Sequence, residues 1–390
     1  MRPKALLRQL LKGIYVRLLQ ASGLLRFAKM RVAQKGVVVL TLHRVLPDAE
    51  FDSANSQPGM MVRACTFAAL LDYIGRYCEC VGVDEQLWDR QPERSQRPRI
   101  ALTFDDGWKD NFETAFPIAQ KHRARFAVFL CPEFVGSDQP FWADRAVALW
   151  REAQRSGKLG LLFELCSRPP MNCIGLDASA DSFVSRLKQM NAGDRDECLE
   201  GLRTGLFPRP MGYEGTGKFL DWNEIQTMMQ AGVSFGSHTY SHQILTQVAV
   251  VDAADELQSS KAAIESRLRT CDLLAYPNGD WSDEVREIAQ RCGYQRAFAN
   301  AAGVWRRQTN PLSIPRVNIW EGKLVDAEQR FSRMEMEYSV FWKAYRAMRR
   351  EDAALKRLQH RSIDESTRQP TFSIESVEED ELQRNTHNRM

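Results

Sequence analysis

The chain has 390 residues, of which 44% are hydrophobic and 26% charged. This composition suffices for about two to three average domains or for one barrel with insertions. A net charge of +3 is too small to indicate a nucleic-acid-binding protein, so no nucleic-acid partner is expected. The nine cysteines are scattered without a CxxC pair, which argues against a disulfide framework and favours a reduced, cytoplasmic protein.

Residues 1–36 have a basic, amphipathic pattern. Nine Lys or Arg residues precede residue 36, and the first acidic residue is Asp48. Charges interrupt every apolar stretch, so neither a signal peptide nor a transmembrane span is predicted. The pattern predicts one amphipathic helix with two possible settings. It either lies on an anionic membrane surface at the cytoplasmic face or packs on the domain as an ordinary surface helix.

Seven apolar runs alternate with helical patterns and predict strands. The runs are Val37–Leu42, Arg99–Phe104, Ala124–Cys131, Val233–Ser237, Asp272–Tyr276, Gln295–Ala299 and Ser313–Val317. Strands that alternate with helices favour a parallel sheet in the α/β class. We therefore expect a deformed (β/α)7-type barrel with its site at the carboxyl ends of the strands.

The predicted domain spans residues 37–322 and carries a mostly helical insertion at about 137–220. Helices are expected at Trp142–Gln154 and Asp181–Leu206 within this insertion. Residues 323–361 predict a charged C-terminal helix. The polar, acidic residues 362–390 predict a disordered tail.

The strand Arg99–Phe104 ends in two adjacent carboxylates followed by a glycine, Asp105-Asp106-Gly107. Consecutive strand residues point to opposite faces, so the two acids can share a site only if the chain turns directly after them. Gly107 permits that turn because it lacks a Cβ. The pattern predicts a general base and a metal ligand of a hydrolase.

His238 and His242 follow the predicted strand Val233–Ser237. On one turn of a helix, residues four apart share a face, with about 5–6 Å between their Cβ atoms. A third ligand from another strand end would complete an open metal site. Taken alone, a surface pair on a helix is an equal alternative, but the Asp-Asp-Gly at another strand end favours the metal site.

The segments Thr103–Gly107 and Ser237–His242 together resemble the first two motifs of the polysaccharide deacetylases, the NodB-homology or carbohydrate esterase 4 family. Ala275–Gly279 resembles the third motif, a Pro-x-Gly loop. The resemblance runs from about Val37 to Ile319. It implies removal of an N-acetyl, less often an O-acetyl, group from a cell-envelope, exopolysaccharide or lipid-linked glycan.

The resemblance also implies roles for individual residues. Asp106, His238 and His242 would bind a divalent metal, with Zn²⁺ as the first choice and Co²⁺, Ni²⁺ or Mn²⁺ as alternatives. Asp105 would act as the general base on the attacking water. The backbone N–H of Asn278 would bind the negative carbonyl oxygen of the tetrahedral intermediate.

Two departures from the family pattern concern the remaining roles. Many members supply a late histidine as general acid, but here His43, at the end of the first strand, resembles the early histidine of circularly rearranged members. Its alternative is a structural histidine. Ala275 stands where the family usually has an arginine, and Arg316 is expected either to orient Asp105 in its place or to form an ordinary ion pair.

Two other functions remain open from the sequence. The chain could be an amidohydrolase that acts on a non-sugar amide. It could also be a catalytically inactive glycan-binding member of the fold, which Ala275 and the missing late histidine favour. The complete set of acids and histidines argues against inactivity, because a binding module does not need it.

Overall fold

Apolar runs of the sequence form the strands of one parallel sheet in this computed structural model, which describes residues 3–83, 97–167, 179–209 and 217–367. A separate pair of short strands lies outside that sheet. The strands are β1 (Val37–Leu42), β2 (Arg44–Leu46), β3 (Met61–Arg63), β4 (Glu79–Val81), β5 (Arg99–Phe104), β6 (Phe126–Leu130), β7 (Ser234–Ser237), β8 (Leu273–Ala275), β9 (Arg296–Phe298) and β10 (Arg316–Asn318).

The main sheet is a nearly closed barrel of seven parallel strands in the order β10-β1-β5-β6-β7-β8-β9. A parallel bridge between Phe298 and Ile314 sets the segment before β10 beside β9 and nearly closes the ring. β4 pairs with the first half of β5, and β2 pairs with β3. The predicted (β/α)7-type barrel is therefore confirmed.

Burial explains why these runs become strands. All six residues of β1 and all five of β6 are buried, as expected for parallel strands covered on both faces. The last strand begins later than the predicted start at Ser313. Pro315 has no N–H to donate to a ladder, and regular pairing with β1 starts at Arg316.

The helices cover the barrel and build the insertion. They are α1 (Pro3–Ala21), α2 (Leu24–Ala33), α3 (Ala64–Tyr77), α4 (Phe116–Lys121), α5 (Trp142–Arg155), α6 (Leu159–Cys166), α7 (Ala180–Leu187), α8 (Ala192–Leu206), α9 (Trp222–Gln230), α10 (Val250–Leu268), α11 (Asp283–Arg291), α12 (Arg333–Glu337) and α13 (Lys343–Thr367). No helix in the described ranges is long and apolar enough to cross a bilayer.

The insertion has a hydrophobic core of its own, to which α5, α6, α7 and α8 contribute. Where one helix was predicted over Asp181–Leu206, two are present. Asn191 starts the second, because its side chain accepts a hydrogen bond from the amide of Asp194 across 2.9 Å.

The N-terminal segment forms two helices, which corrects the prediction of one. Gly23 has a left-handed φ of 75°, which a right-handed helix does not contain. The chain therefore changes direction between α1 and α2. One apolar side of this pair is covered: Val16, Leu19 and Leu25 are buried against the region around Trp342.

The predicted charged helix over 323–361 begins later and ends later than expected. Residues before Arg333 form a turn and a bridge between Val325 and Phe331. The chain divides into two compact units, Met1–Ala347 and Met348–Met390. In the second unit the helix runs to Thr367, so residues 362–367 are helical rather than disordered, and residues 368–390 lie outside the described part.

Candidate active site

Two carboxylates follow the end of β5. β1 and β5 pair in register, so His43 and Asp105 leave neighbouring strands at the same level. The chain turns directly afterwards, since Asp106 and Gly107 have left-handed backbones with φ of 76° and 75°. The predicted turn is present, and it begins one residue before the glycine.

Asp106, His238 and His242 form one group. Oδ1 of Asp106 lies 3.5 Å from Nε2 of His238 and 3.4 Å from Nε2 of His242. This oxygen is buried, and no residue in the described ranges hydrogen-bonds to it, although buried polar atoms normally have a partner. One carboxylate oxygen and two imidazole nitrogens, all within 4.8 Å of one another, fit a divalent cation.

A second contact fixes the tautomer of His238. Its Nδ1 lies 2.7 Å from the carbonyl oxygen of Ala275. A carbonyl oxygen can only accept, so Nδ1 carries the proton and Nε2 keeps its lone pair. Burial lowers the pKa of His238 to about 4, so its imidazole is neutral at pH 7, as a metal ligand must be.

The segment that joins the two histidines is an irregular loop, which corrects the predicted helical turn. Thr239 and His242 have left-handed φ values of 65° and 64°, which a right-handed helix does not contain. Glu256 on α10 holds this loop. Its Oε2 accepts hydrogen bonds from the amides of Tyr240 and Ser241, each across 2.9 Å.

Asp105 lies beside the metal-binding group and is held by Arg316 of β10. Nη1 and Nη2 of Arg316 donate to Oδ1 and Oδ2 of Asp105 across 2.7 Å and 2.8 Å. Burial alone raises the pKa of Asp105, but the charges of Arg316, His238 and His43 outweigh it and place this pKa below its usual value. Asp105 is therefore ionised at neutral pH.

His43 lies at the end of β1 with its Nε2 3.9 Å from Oδ2 of Asp105. Its Nδ1 is buried, with no hydrogen-bond partner in the part of the chain that the structure describes. Burial lowers the pKa of His43 despite the neighbouring carboxylates. The side-chain amide of Asn111 donates to the carbonyl of His43 across 2.8 Å and so holds its backbone.

Asn278 lies on a short turn, Pro277–Gly279, directly after β8. Its φ of 59° is left-handed, and Gly279 follows with 78°. A Cβ on Gly279 would lie 2.1 Å from the Cβ of Asn300, so only glycine fits there. The turn is therefore closely packed, and Asn278 borders the same cleft as His43 and Asp105.

Sequence reasoning missed the support behind Asp106. The indole N–H of Trp108 donates to Oδ2 of Asp106 across 3.0 Å. The guanidinium of Arg44 lies 4.4 Å above the Trp108 ring and donates from Nε to Oδ2 of Asp110 across 2.8 Å. Phe219 also stacks on this ring, with centroids 4.5 Å apart. The only signal in the sequence was the tryptophan that directly follows Asp-Asp-Gly.

The insertion also contributes to the cleft. Trp142, Lys188, Met190 and Arg195 line it from that side. Six predicted site residues follow the carboxyl ends of β1, β5, β7 and β8, whereas Arg316 is the first residue of β10 and reaches Asp105 with its side chain. All seven therefore lie together. They are His43, Asp105, Asp106, His238, His242, Asn278 and Arg316.

Comparisons with known proteins identify the family of this chain. The family profile described as polysaccharide deacetylase matches residues 93–297. The protein YxkH of Bacillus subtilis (strain 168), whose name describes a polysaccharide deacetylase, is 25% identical over 280 residues, which are 71% of this chain and 72% of YxkH.

Solved structures of lower identity also match. IcaB from Ammonifex degensii is 19% identical with a TM-score of 0.49, over 80% of this chain and 98% of IcaB. The Streptococcus pyogenes deacetylase PplD, solved with acetate, is 17% identical with a TM-score of 0.47, over 74% of this chain and 94% of PplD.

Proposed function

Because this chain belongs to the polysaccharide deacetylase family, it is a hydrolase of carbohydrate N-acetyl groups, and we propose that it works with a divalent metal bound by Asp106, His238 and His242. One observation carries the proposal. Oδ1 of Asp106 is buried without a hydrogen-bond partner among the described residues, and Nε2 atoms of both histidines lie within 3.5 Å of it. A bound cation would satisfy all three atoms.

Zn²⁺ is the first choice for this metal. Two imidazole nitrogens and one carboxylate oxygen leave positions open, as in catalytic zinc sites, and the same donors also accept Co²⁺, Ni²⁺ or Mn²⁺. Such a cation, when bound, lowers the pKa of a water and polarises a carbonyl. His238 suits this role because it is neutral and its proton is held on Nδ1 by the carbonyl of Ala275.

Asp105 is the proposed general base, which takes a proton from the attacking water. It is ionised, and Arg316 fixes its orientation through both oxygens. Each carboxylate oxygen has two lone pairs, so one remains for the proton after the arginine is bound. Arg316 is thus a positioning residue, which acts through Asp105.

His43 in its protonated form is the proposed general acid, which gives a proton to the departing amine nitrogen. Burial disfavours this form, and the charges of Asp106 and Asp105 favour it. His43 borders the same cleft as Asp105. One cleft therefore contains both the base that takes up a proton and the acid that releases one. The reaction consumes one water molecule and yields acetate and a free amino sugar. The backbone N–H of Asn278 is proposed to donate to the acetyl oxygen while that oxygen carries negative charge.

Acetate release and metal content test these roles together. The purified full chain should release acetate from an N-acetylated glycan of the cell-envelope, exopolysaccharide or lipid-linked type. O-acetylated sugars and non-sugar amides are the comparison substrates. Asp106→Ala should lose the metal, whereas Asp105→Asn should keep it and lose turnover by about 10²–10⁴-fold. Equal metal loss in both variants, or faster hydrolysis of a non-sugar amide, would overturn the proposal.

We further propose that α1 and α2 contact an anionic membrane surface. Apolar side chains on their outer face are exposed, including Leu11 at 55%, Leu18 at 63% and Phe27 at 43%. The exposed basic residues Arg17 and Arg26 lie nearby in the sequence, and residues 1–36 contain no acidic residue. An exposed apolar face with positive charge matches the interface of an anionic bilayer. This contact would place the enzyme beside a lipid-linked glycan at the cytoplasmic face.

Sedimentation with vesicles tests this surface in the full-length protein. Binding should be stronger to vesicles that contain phosphatidylglycerol than to purely phosphatidylcholine vesicles. The double variant Leu11→Ser/Leu18→Ser should weaken it by about tenfold or more. The matched control is Val250→Ser/Val251→Ser, which removes two exposed valines from α10. Equal effects of the two double variants would contradict a specific membrane face.

A further inference from the structure

Two positively charged side chains of the helical insertion border the candidate active site. Lys188 directly follows α7 and Arg195 lies on α8, and both line the cleft that contains Asp105 and His238. Nζ of Lys188 donates to Oδ1 of Asn278 across 3.4 Å. The insertion therefore meets the loop after β8 at this point, and it brings positive charge to the cleft.

Neither cation has an acidic partner among the residues that the structure describes. The charges of Asp106 and Asp280 act on Lys188, but neither acid forms an ion pair with it among the described residues. The charge of Asp196 acts on Arg195, but the ion pair of Asp196 is with Arg145. Long basic side chains that form no ion pair within the described ranges are available to bind an anion.

Arg195 is held in a fixed orientation. The centre of its guanidinium lies 4.3 Å above the ring of Trp142, the first residue of α5. Its Nε is buried and has no hydrogen-bond partner in the described ranges. A stacked, planar guanidinium is suited to bind a carboxylate or a phosphate oxygen through its terminal N–H groups.

The energetics favour an anionic occupant. Burial lowers the pKa of both Lys188 and Arg195, because their charged forms are partly removed from water. A partly buried charge without a partner is unfavourable, and a ligand of opposite charge relieves the cost. Loops and strand ends of the barrel add neutral side-chain amides to the cleft, which suit sugar hydroxyls. They are Gln243, Gln247, Asn300 and Asn318.

We infer that the substrate carries an anionic group, a carboxylate or a phosphate, which Lys188 and Arg195 bind while the acetylated sugar lies at the metal-binding group. This inference rests on the proposed deacetylase function. It narrows the substrate from any acetylated glycan to an acidic one. The insertion thereby becomes the part of the chain that selects the substrate.

Three N-acetylglucosamine compounds test the inference: neutral chitobiose, N-acetylglucosamine 1-phosphate, and a disaccharide of N-acetylglucosamine and glucuronate. The metal-loaded full chain should show a higher kcat/KM for one of the anionic compounds than for chitobiose. Preference for the phosphate or for the glucuronate compound identifies the anion.

Substitution of the two cations should reduce this preference. Lys188→Met and Arg195→Met should each lower the ratio of anionic to neutral kcat/KM by about 10- to 100-fold, mainly through KM, with unchanged metal content. Lys188→Glu should lower it further. The matched control is Arg155→Gln on α5, whose side chain is 80% exposed, and it should leave the ratio unchanged.

Calorimetric titration with the same three compounds separates this inference from the proposed function. If the wild-type protein releases no acetate from any compound, the proposed function fails. A binding preference for an anionic compound that Lys188→Met abolishes then still supports the anion site. Equal affinities and equal kcat/KM for neutral and anionic compounds, or an unchanged preference in both methionine variants, would overturn the inference.

Discussion

Arg316 binds both oxygens of Asp105, with Nη1 and Nη2 at 2.7 Å and 2.8 Å. Its Nε also donates to the carbonyl of Ala299 across 3.2 Å, so the guanidinium is fixed at a third point. Ala275, which stands where the sequence motif usually has arginine, contributes only its carbonyl, to His238. The arginine that contacts Asp105 thus comes from β10 rather than from the loop after β8.

Arg316→Lys should therefore show whether Asp105 depends on the positive charge at position 316 or on the two-point contact of the guanidinium. Lysine keeps the positive charge but cannot bind both carboxylate oxygens at once. We expect kcat to fall by about 10- to 100-fold while metal content stays unchanged. Acetate release at saturating substrate and metal analysis of the same sample provide the measurement.

The control for this substitution is Arg286→Lys, in a surface pair with Asp283 at 2.9 Å. Surface pairs contribute about 0–1 kcal/mol, so activity and stability should stay close to the wild type. By contrast, Arg316→Ala leaves a buried carboxylate without its partner and should destabilise the fold by about 3–5 kcal/mol. Full activity of Arg316→Lys would show that the two-point contact is merely structural.

His43→Ala tests the proposed general acid. His43 is near Asp105 but outside the metal-binding group, so the substitution should lower kcat by about 10²–10⁴-fold with intact metal content. His122→Ala is the matched control, since His122 directly follows α4 and its Nδ1 lies 3.4 Å from Oδ1 of Asp72. If kcat is unchanged in His43→Ala, another group must supply the proton.

The barrel and the metal-binding group were predictable because both follow from local patterns. Buried apolar runs give parallel strands, and the carboxyl ends of parallel strands meet at one edge. Polar residues directly after β1, β5 and β7 were therefore expected to lie close together. The contact between Arg316 and Asp105 was only one of two alternatives, because nothing local relates residues that distant in sequence.

Other features could not be predicted, for physical reasons. The spacing of His238 and His242 matched a helix, yet two left-handed residues and Glu256 produce the same convergence from an irregular loop. Lys188 and Arg195 had no motif, because their role depends on how the insertion packs against the barrel. Propensity patterns carry no information on that packing.

Trp108→Phe should weaken metal binding. Phenylalanine retains the stacking on Phe219 but loses the N–H that donates to Oδ2 of Asp106. Partners that orient a metal ligand typically contribute 10- to 100-fold in affinity, so we expect a rise of that size in the metal dissociation constant. Competition with a chelator measures it.

The matched control for Trp108 is Trp150→Phe on α5. The indole nitrogen of Trp150 is also buried, but it has no hydrogen-bond partner among the described residues. Loss of this indole nitrogen in Trp150→Phe should leave metal affinity unchanged. A similar loss of affinity in both variants would assign the effect to packing rather than to the hydrogen bond.

Asp144 should make the stability of the protein depend on pH. It lies on α5, is buried, and accepts a hydrogen bond from Ser56, which joins the insertion to the segment after β2. Burial raises its pKa from 3.8 to about 7, although the charge of Arg44 opposes this. The folded state therefore holds this proton more tightly than the unfolded state. Its contribution to stability is full below about pH 4 and is lost as the pH rises through about 7.

Asp144→Asn should remove this pH dependence. The amide keeps the shape but cannot ionise, so the difference in unfolding free energy between pH 5 and pH 8 should shrink by an amount on the order of 2 kcal/mol. Urea denaturation of metal-free protein at both pH values measures it, because a bound metal would add its own pH dependence. Asp138→Asn, at an exposed carboxylate paired with Lys218, is the control and should keep the wild-type difference. An unchanged difference in Asp144→Asn would show that Asp144 stays ionised across this range, held by Arg44.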